Sequence, residues 1–148
     1  MSSSSYAAAE MVVGGVLVVY CIIVLAVWIL CVIGNWKIFT KAGEAGWKSI
    51  IPIYSNYITY KISWKASMFW IFLILLVVTG IAESIGGFVA IIGSIAGIGL
   101  AVLTIIGNYK LAKAFGQGIG FTIGLILLPY IFIPVLGFGS SQYVGPQE

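Results

Sequence analysis

Seven lysines and four glutamates stand in this chain without a single histidine, aspartate or arginine. Imidazole chemistry, bidentate phosphate clamping and the usual metal-ligand clusters are therefore closed to it, and no metal or cofactor site is expected. The one nucleophile–base pair that the composition allows is Ser with Lys. Lys61 and Lys65 flank Ser63 and Ser67, but all lie outside the long apolar runs, where desolvation would lower an ammonium pKa. The chain is read as a non-enzyme. Glu83 is the only carboxylate inside an apolar block, and an intramembrane carboxylate is a functional candidate by default. Its neighbours Ser84, Gly86 and Gly87 mark a turn, which sets it in the outer headgroup layer. Cys21 and Cys31 are ten residues apart, about 15 Å along a helix, too far to pair with each other. They read as small hydrophobes within a span.

These few groups must be carried by elements suited to lipid. Of 148 residues, 61% are hydrophobic and 7% charged, against about 25% charged in a soluble domain. A basic stripe on a soluble face is missing, which argues against a nucleic-acid partner. The expected fold is all-α, an integral membrane four-helix bundle forming one transmembrane domain over 1–148, with spans near 11–36, 65–82, 85–108 and 119–138. Met1–Glu10 is Ser- and Ala-rich without a basic leader region and reads as a retained tail. Met11–Ile33 has no charge, and Met68–Ile106 is 39 residues long, enough to require one reversal, at Glu83–Gly87. Loop 37–64 joins the first two spans, and a polar tail runs from the fourth span to Glu148. All seven lysines fall between spans one and two or between three and four. The positive-inside rule then predicts both termini on the non-cytoplasmic side.

Interface anchors follow from the same pattern. Trp36, Lys37, Lys41, Trp47, Lys48, Tyr54, Lys61, Trp64, Lys65, Tyr109, Lys110 and Lys113 are amphipathic rings and ammonium groups suited to the headgroup layer. The loop containing Pro52 is expected to lie there as a short interfacial helix, a re-entrant element being the alternative. Small residues Ala90, Gly93, Gly97 and Ala101, with Gly120 and Gly124, form stripes that permit close helix packing. Ile33-Gly34-Asn35-Trp36-Lys37 and Ile106-Gly107-Asn108-Tyr109-Lys110 look alike. Duplication of a two-helix unit and convergent interface chemistry both account for them.

From Lys41 the chain resembles a family of small bacterial membrane proteins of unknown function. The resemblance is carried by Lys41-Ala42-Gly43-Glu44-Ala45-Gly46-Trp47-Lys48-Ser49-Ile50-Ile51-Pro52-Ile53-Tyr54 and by Leu111-Ala112-Lys113-Ala114-Phe115-Gly116. The second motif continues through Leu128-Pro129, Ile131-Phe132, Pro134 and Leu136-Gly137-Phe138-Gly139 to Tyr143. Departures are Ser55, which separates Tyr54 from Asn56, and a longer, Gly-rich third span. The resemblance implies four helices in a bacterial inner membrane and no established activity. Some relatives carry an attached signal peptidase domain with a Ser-Met-x-Pro segment, but here Ser67-Met68 is followed by Phe69-Trp70, so no catalytic residue carries over.

The functional expectation is an accessory or scaffolding subunit of a membrane assembly. Its partners would be membrane lipids and other membrane proteins or further copies of itself. A small-solute transporter or channel and an inner-leaflet lipid-interacting protein are the alternatives.

Overall fold

The computed structural model describes residues 2–147; Met1 and Glu148, at the ends of the two expected tails, lie outside them. Six α-helices and one 3-10 turn follow one another: α1 (Ser3–Lys41), the turn (Gly46–Ser49), α2 (Pro52–Ser63), α3 (Ala66–Ile85), α4 (Val89–Ala114), α5 (Ile119–Leu127) and α6 (Pro129–Phe138). Three of the helices, α1, α3 and α4, are long and apolar enough to cross a membrane. The reversal between α3 and α4 falls at Gly86 and Gly87, with φ 74° and 59°, a backbone region that glycine enters without a Cβ clash. Glu83 sits one turn earlier, still inside α3.

The fourth expected span is not one helix. Leu128 precedes Pro129 and adopts φ −133°, ψ 60°, outside the helical region that a pre-proline residue disfavours. Pro129 then starts α6, where its missing N–H costs nothing. With 9 and 10 residues, α5 and α6 are each about 14–15 Å long, half of what a span requires. They pack against each other as a hairpin: the Phe121 and Phe132 rings meet edge to face at 5.1 Å, and the Phe132 ring lies on Gly124. Chain reversal is the only way to bring residues eleven apart along apolar helix into ring contact.

α6 therefore returns toward the end it started from, alongside α1. Tyr130 shares a pocket with Tyr20 to Cys31. Below it Pro134 faces Gly34, and Gly137 lies on the Gly34 backbone. At the bottom the Lys41 ammonium donates to the carbonyls of Leu136 at 2.7 Å and Gly139 at 2.9 Å. The tail stays at that end: Val144 N–H donates to Ala114 C=O at 2.7 Å, Gln147 N–H to Ser63 C=O at 2.9 Å, and the Tyr143 hydroxyl to Ile62 C=O at 2.7 Å. The four-helix count is thus corrected to three long helices plus a half-depth hairpin. Ser3, at the far end of the 39-residue α1, and Gln147, bonded to Ser63 at the lysine-rich end, lie at opposite ends of the structure.

The core lies at the lysine-rich end. Ile38, Phe39, Ile58, Ile62, Leu111, Phe115, Leu125 and Leu136, from five helices, are buried together there. Where water reaches this level, burial gains about 25 cal/mol per Å² of apolar area. Farther up, lipid solvates apolar side chains as well as protein does, and helices separate without that cost. The backbone of α1 indeed runs close to α6, the 3-10 turn and α2, and not to α3 or α4, which α1 meets only through side chains of the shared core.

Candidate functional site

The lysine-rich end carries nearly all the polar chemistry of the chain. Residues 42–51 bend around the foot of α1, and Gly46 is pressed against the Trp36 indole so closely that a Cβ would collide with the ring. This close approach brings Glu44 between two lysines. Its carboxylate accepts from Lys48 at 2.6 Å and from Lys61 of α2 at 2.7 Å. Glu44 is mostly covered, with 14% of its side chain exposed. The hydrogen bonds from Lys48 and then Lys61 hold its carboxyl below the usual range, while the bond to Glu44 raises the Lys48 ammonium.

The expected anchors divide into three groups. Lys41, Lys48 and Lys61 are bonded to protein, so they fasten the fold. Lys110 sits over the Trp64 ring at 5.5 Å and Lys113 over Tyr109 at 5.0 Å, geometries in which the ring face attracts the cation. Lys37 and Lys65 are exposed, as is Trp36, despite its contact with Gly46. Trp47 is exposed too, 6.1 Å from Tyr54, which stacks on Tyr57 at 6.0 Å; Tyr57 in turn meets Phe69 of α3 edge-on at 5.5 Å. α2 is thus packed into the protein through Ile58, Tyr60, Ile62 and Ser63. The reason is that its apolar residues find α3 and α4 on one side and the shared core on the other.

The small-residue stripes are only partly used. A Cβ on Gly93 would come within 2.9 Å of the Ala82 Cβ, and one on Gly97 would rest 3.7 Å from Thr79, so both glycines face α3. Ala90 is half-buried, whereas Ala101 is exposed. Gly124 receives Phe132, but Gly120 has open space around it. The two look-alike motifs serve close approaches of different kinds: Gly34 meets the α6 backbone, and Gly107 meets the Tyr60 ring.

One feature of this end escaped the reading of the residues. α2, α3 and α4 border a half-open cavity of about 180 Å³ lined by Asn56, Thr59, Tyr60, Ser63, Phe72, Thr104, Gly107, Asn108 and Leu111, of which Asn56 and Thr104 are exposed. Its signal in the sequence is a pair of polar stripes, Asn56, Thr59 and Ser63 at helical spacing and Thr104 with Asn108 four apart, which share a face only if both segments are helices. Among the described residues no group of three His, Cys, Asp or Glu side chains comes together.

A model of a family of unknown function (DUF5684) matches residues 47–146. The chain belongs to that family. The DUF5684 match takes in the 3-10 turn, helices α2 to α6 and nearly all of the tail, hence the polar cavity and the hairpin, and it leaves out α1 and Glu44. No curated protein and no solved structure matches the chain.

Proposed function

We propose that this chain is a non-enzymatic accessory or scaffolding subunit of the bacterial cytoplasmic membrane, which offers α1 to a neighbouring membrane protein or to a second copy. The lysine-rich end and the tail face the cytoplasm in this reading, and Ser3 faces outward. The observation that carries it is the contrast within α1. Its last turns are gripped by α6 and the 3-10 turn, whereas no residue from Ser3 to Ile33 is buried. A helix of 39 residues, about 58 Å long, exceeds a hydrocarbon core of about 30 Å, so it has the length to reach a partner beyond the far headgroup layer. The test is purification in nanodiscs with native mass spectrometry, paired with oxidative cross-linking through Cys21. Stoichiometric co-purification of a membrane protein, or a Cys21-linked dimer, is the expected result. A monomer without partners overturns it.

A second reading, small-solute transport, draws on the half-depth α5–α6 hairpin, an element tolerated in membranes where protein or water satisfies its backbone. Solute flux in liposomes that is lost on replacing Pro129 would favour it.

A further inference from the structure

The cavity between α2, α3 and α4 is polar on two walls and uncharged throughout. We propose that it binds an uncharged polyol group. Three hydroxyls of its wall already spend their protons on the carbonyl four residues earlier: Thr59 on Ser55 at 2.9 Å, Ser63 on Thr59 at 2.6 Å and Thr104 on Leu100 at 2.9 Å. Only their lone pairs remain for a guest, so the guest must donate. Asn108 gives one N–H to the Thr104 carbonyl at 3.0 Å, which leaves its own carbonyl and a second N–H. Asn56 and the Tyr60 hydroxyl can both donate and accept. A hydroxyl-rich guest matches that mixture, because each of its groups donates once and accepts as well.

The uncharged wall excludes ionic guests. The wall holds no carboxylate for an ammonium and no lysine for a phosphate or carboxylate; Lys110, two residues beyond Asn108, is engaged with the Trp64 ring. Phe72 and Leu111 supply apolar surface for the C–H faces of a polyol. The volume of about 180 Å³ is roughly six water volumes, room for a glycerol- to hexose-sized group. Gly107 keeps the space open, since a Cβ there would stand 3.2 Å from the Tyr60 ring and push it inward.

Trp64 and Lys110 mark headgroup depth. Two sources can deliver a polyol to that level: a free molecule, or the glycerol headgroup of a lipid. The full chain in nanodiscs, analysed by native mass spectrometry, separates them. Phosphatidylglycerol is compared with phosphatidylpropanol of the same acyl chains, which has the same charge and no headgroup hydroxyls. Free erythritol is tested by saturation-transfer NMR in phosphatidylpropanol nanodiscs. A lipid source gives at least tenfold greater retention of phosphatidylglycerol. A free source gives erythritol signal without that preference. Either must disappear in Thr104→Val, whose exposed position spares the core, and in Asn108→Leu, and must survive in Ser94→Ala at the far end of α4. Equal retention of the two lipids with no erythritol signal, or effects unchanged in both cavity variants, would overturn the proposal.

Discussion

The two ends of α1 differ in polarity, with Asn35, Lys37, Thr40 and Lys41 at the lower one and no charge from Met11 to Ile33, and they have opposite fates. Gly34, Ile38 and Phe39 are buried and Lys41 ties the helix to α6, while Val12, Val16 and Tyr20 remain 66%, 62% and 64% exposed. The more apolar stretch is the unburied one. That order suits a bilayer, in which the lower end would meet water and its charges could pair, while the upper end would meet lipid, an equal solvent for apolar side chains.

The sharpest way to break the comparison is topological. In a background with Cys21 and Cys31 replaced, a cysteine at Ser3 and one at Gln142 are expected to react with impermeant maleimide from opposite sides of the membrane, an all-or-none difference. Labelling from the same side would mean that residues 119–138 cross the bilayer and that the hairpin is absent. The next effect contrasts two glycines of one helix. A Cβ on Gly34 would come within 3.0 Å of the Pro134 backbone, whereas Gly14 has nothing within 4 Å. Gly34→Leu should lower unfolding stability in nanodiscs by about 3 kcal/mol through overpacking, and Gly14→Leu should leave the monomer within about 0.5 kcal/mol of wild type.

Lys41→Met removes a cation bonded to two carbonyls at the end of α6. A loss of about 1.5 kcal/mol is expected, the lower range for hydrogen bonds to charged groups, with faster amide exchange confined to residues 136–147. Protection unchanged there would mean that α6 is held by the Gly34 contact alone. The smallest effect belongs to Glu44→Gln, about 1 kcal/mol at neutral pH, as suits a partly covered ion pair. Its sign follows from linkage. The folded carboxyl is held below its ordinary value of 4.5, so its contribution is present above that value and is lost as pH falls through the lowered one. Melting temperatures of wild type and Glu44→Gln should therefore converge on acidification below about pH 4.5. A constant gap down to low pH would assign the effect to something other than charge.

Much of the plan was legible in the residues. Three apolar helices, the Gly86–Gly87 reversal, the collection of lysines at one end and the close packing at Gly93 all follow from local composition and spacing. The hairpin did not, because a window across Ile119–Phe138 averages to an apolar run of spanning length, and proline is tolerated in transmembrane helices. Leu128-Pro129 followed by Pro134, with Gly124 placed to receive Phe132, was the available clue. The cavity was hidden for a related reason: Asn56, Thr59 and Ser63 look like the solvated face of an interfacial helix until α2 is known to pack on α4.

The sequence by itself determined that the chain has helices long and apolar enough to cross a membrane, which end bears positive charge and which side-chain types it lacks. Those properties are sums over residues or depend on near neighbours. Only the tertiary structure decided that Ile119–Phe138 turns back, that Lys41 caps α6 while Lys110 covers Trp64, and that six hydroxyl- or amide-bearing side chains line one cavity. Each of these rests on partners brought together by the fold, as far apart as the 95 residues between Lys41 and Leu136, and a free energy of contact between such distant groups leaves no periodic trace along the chain.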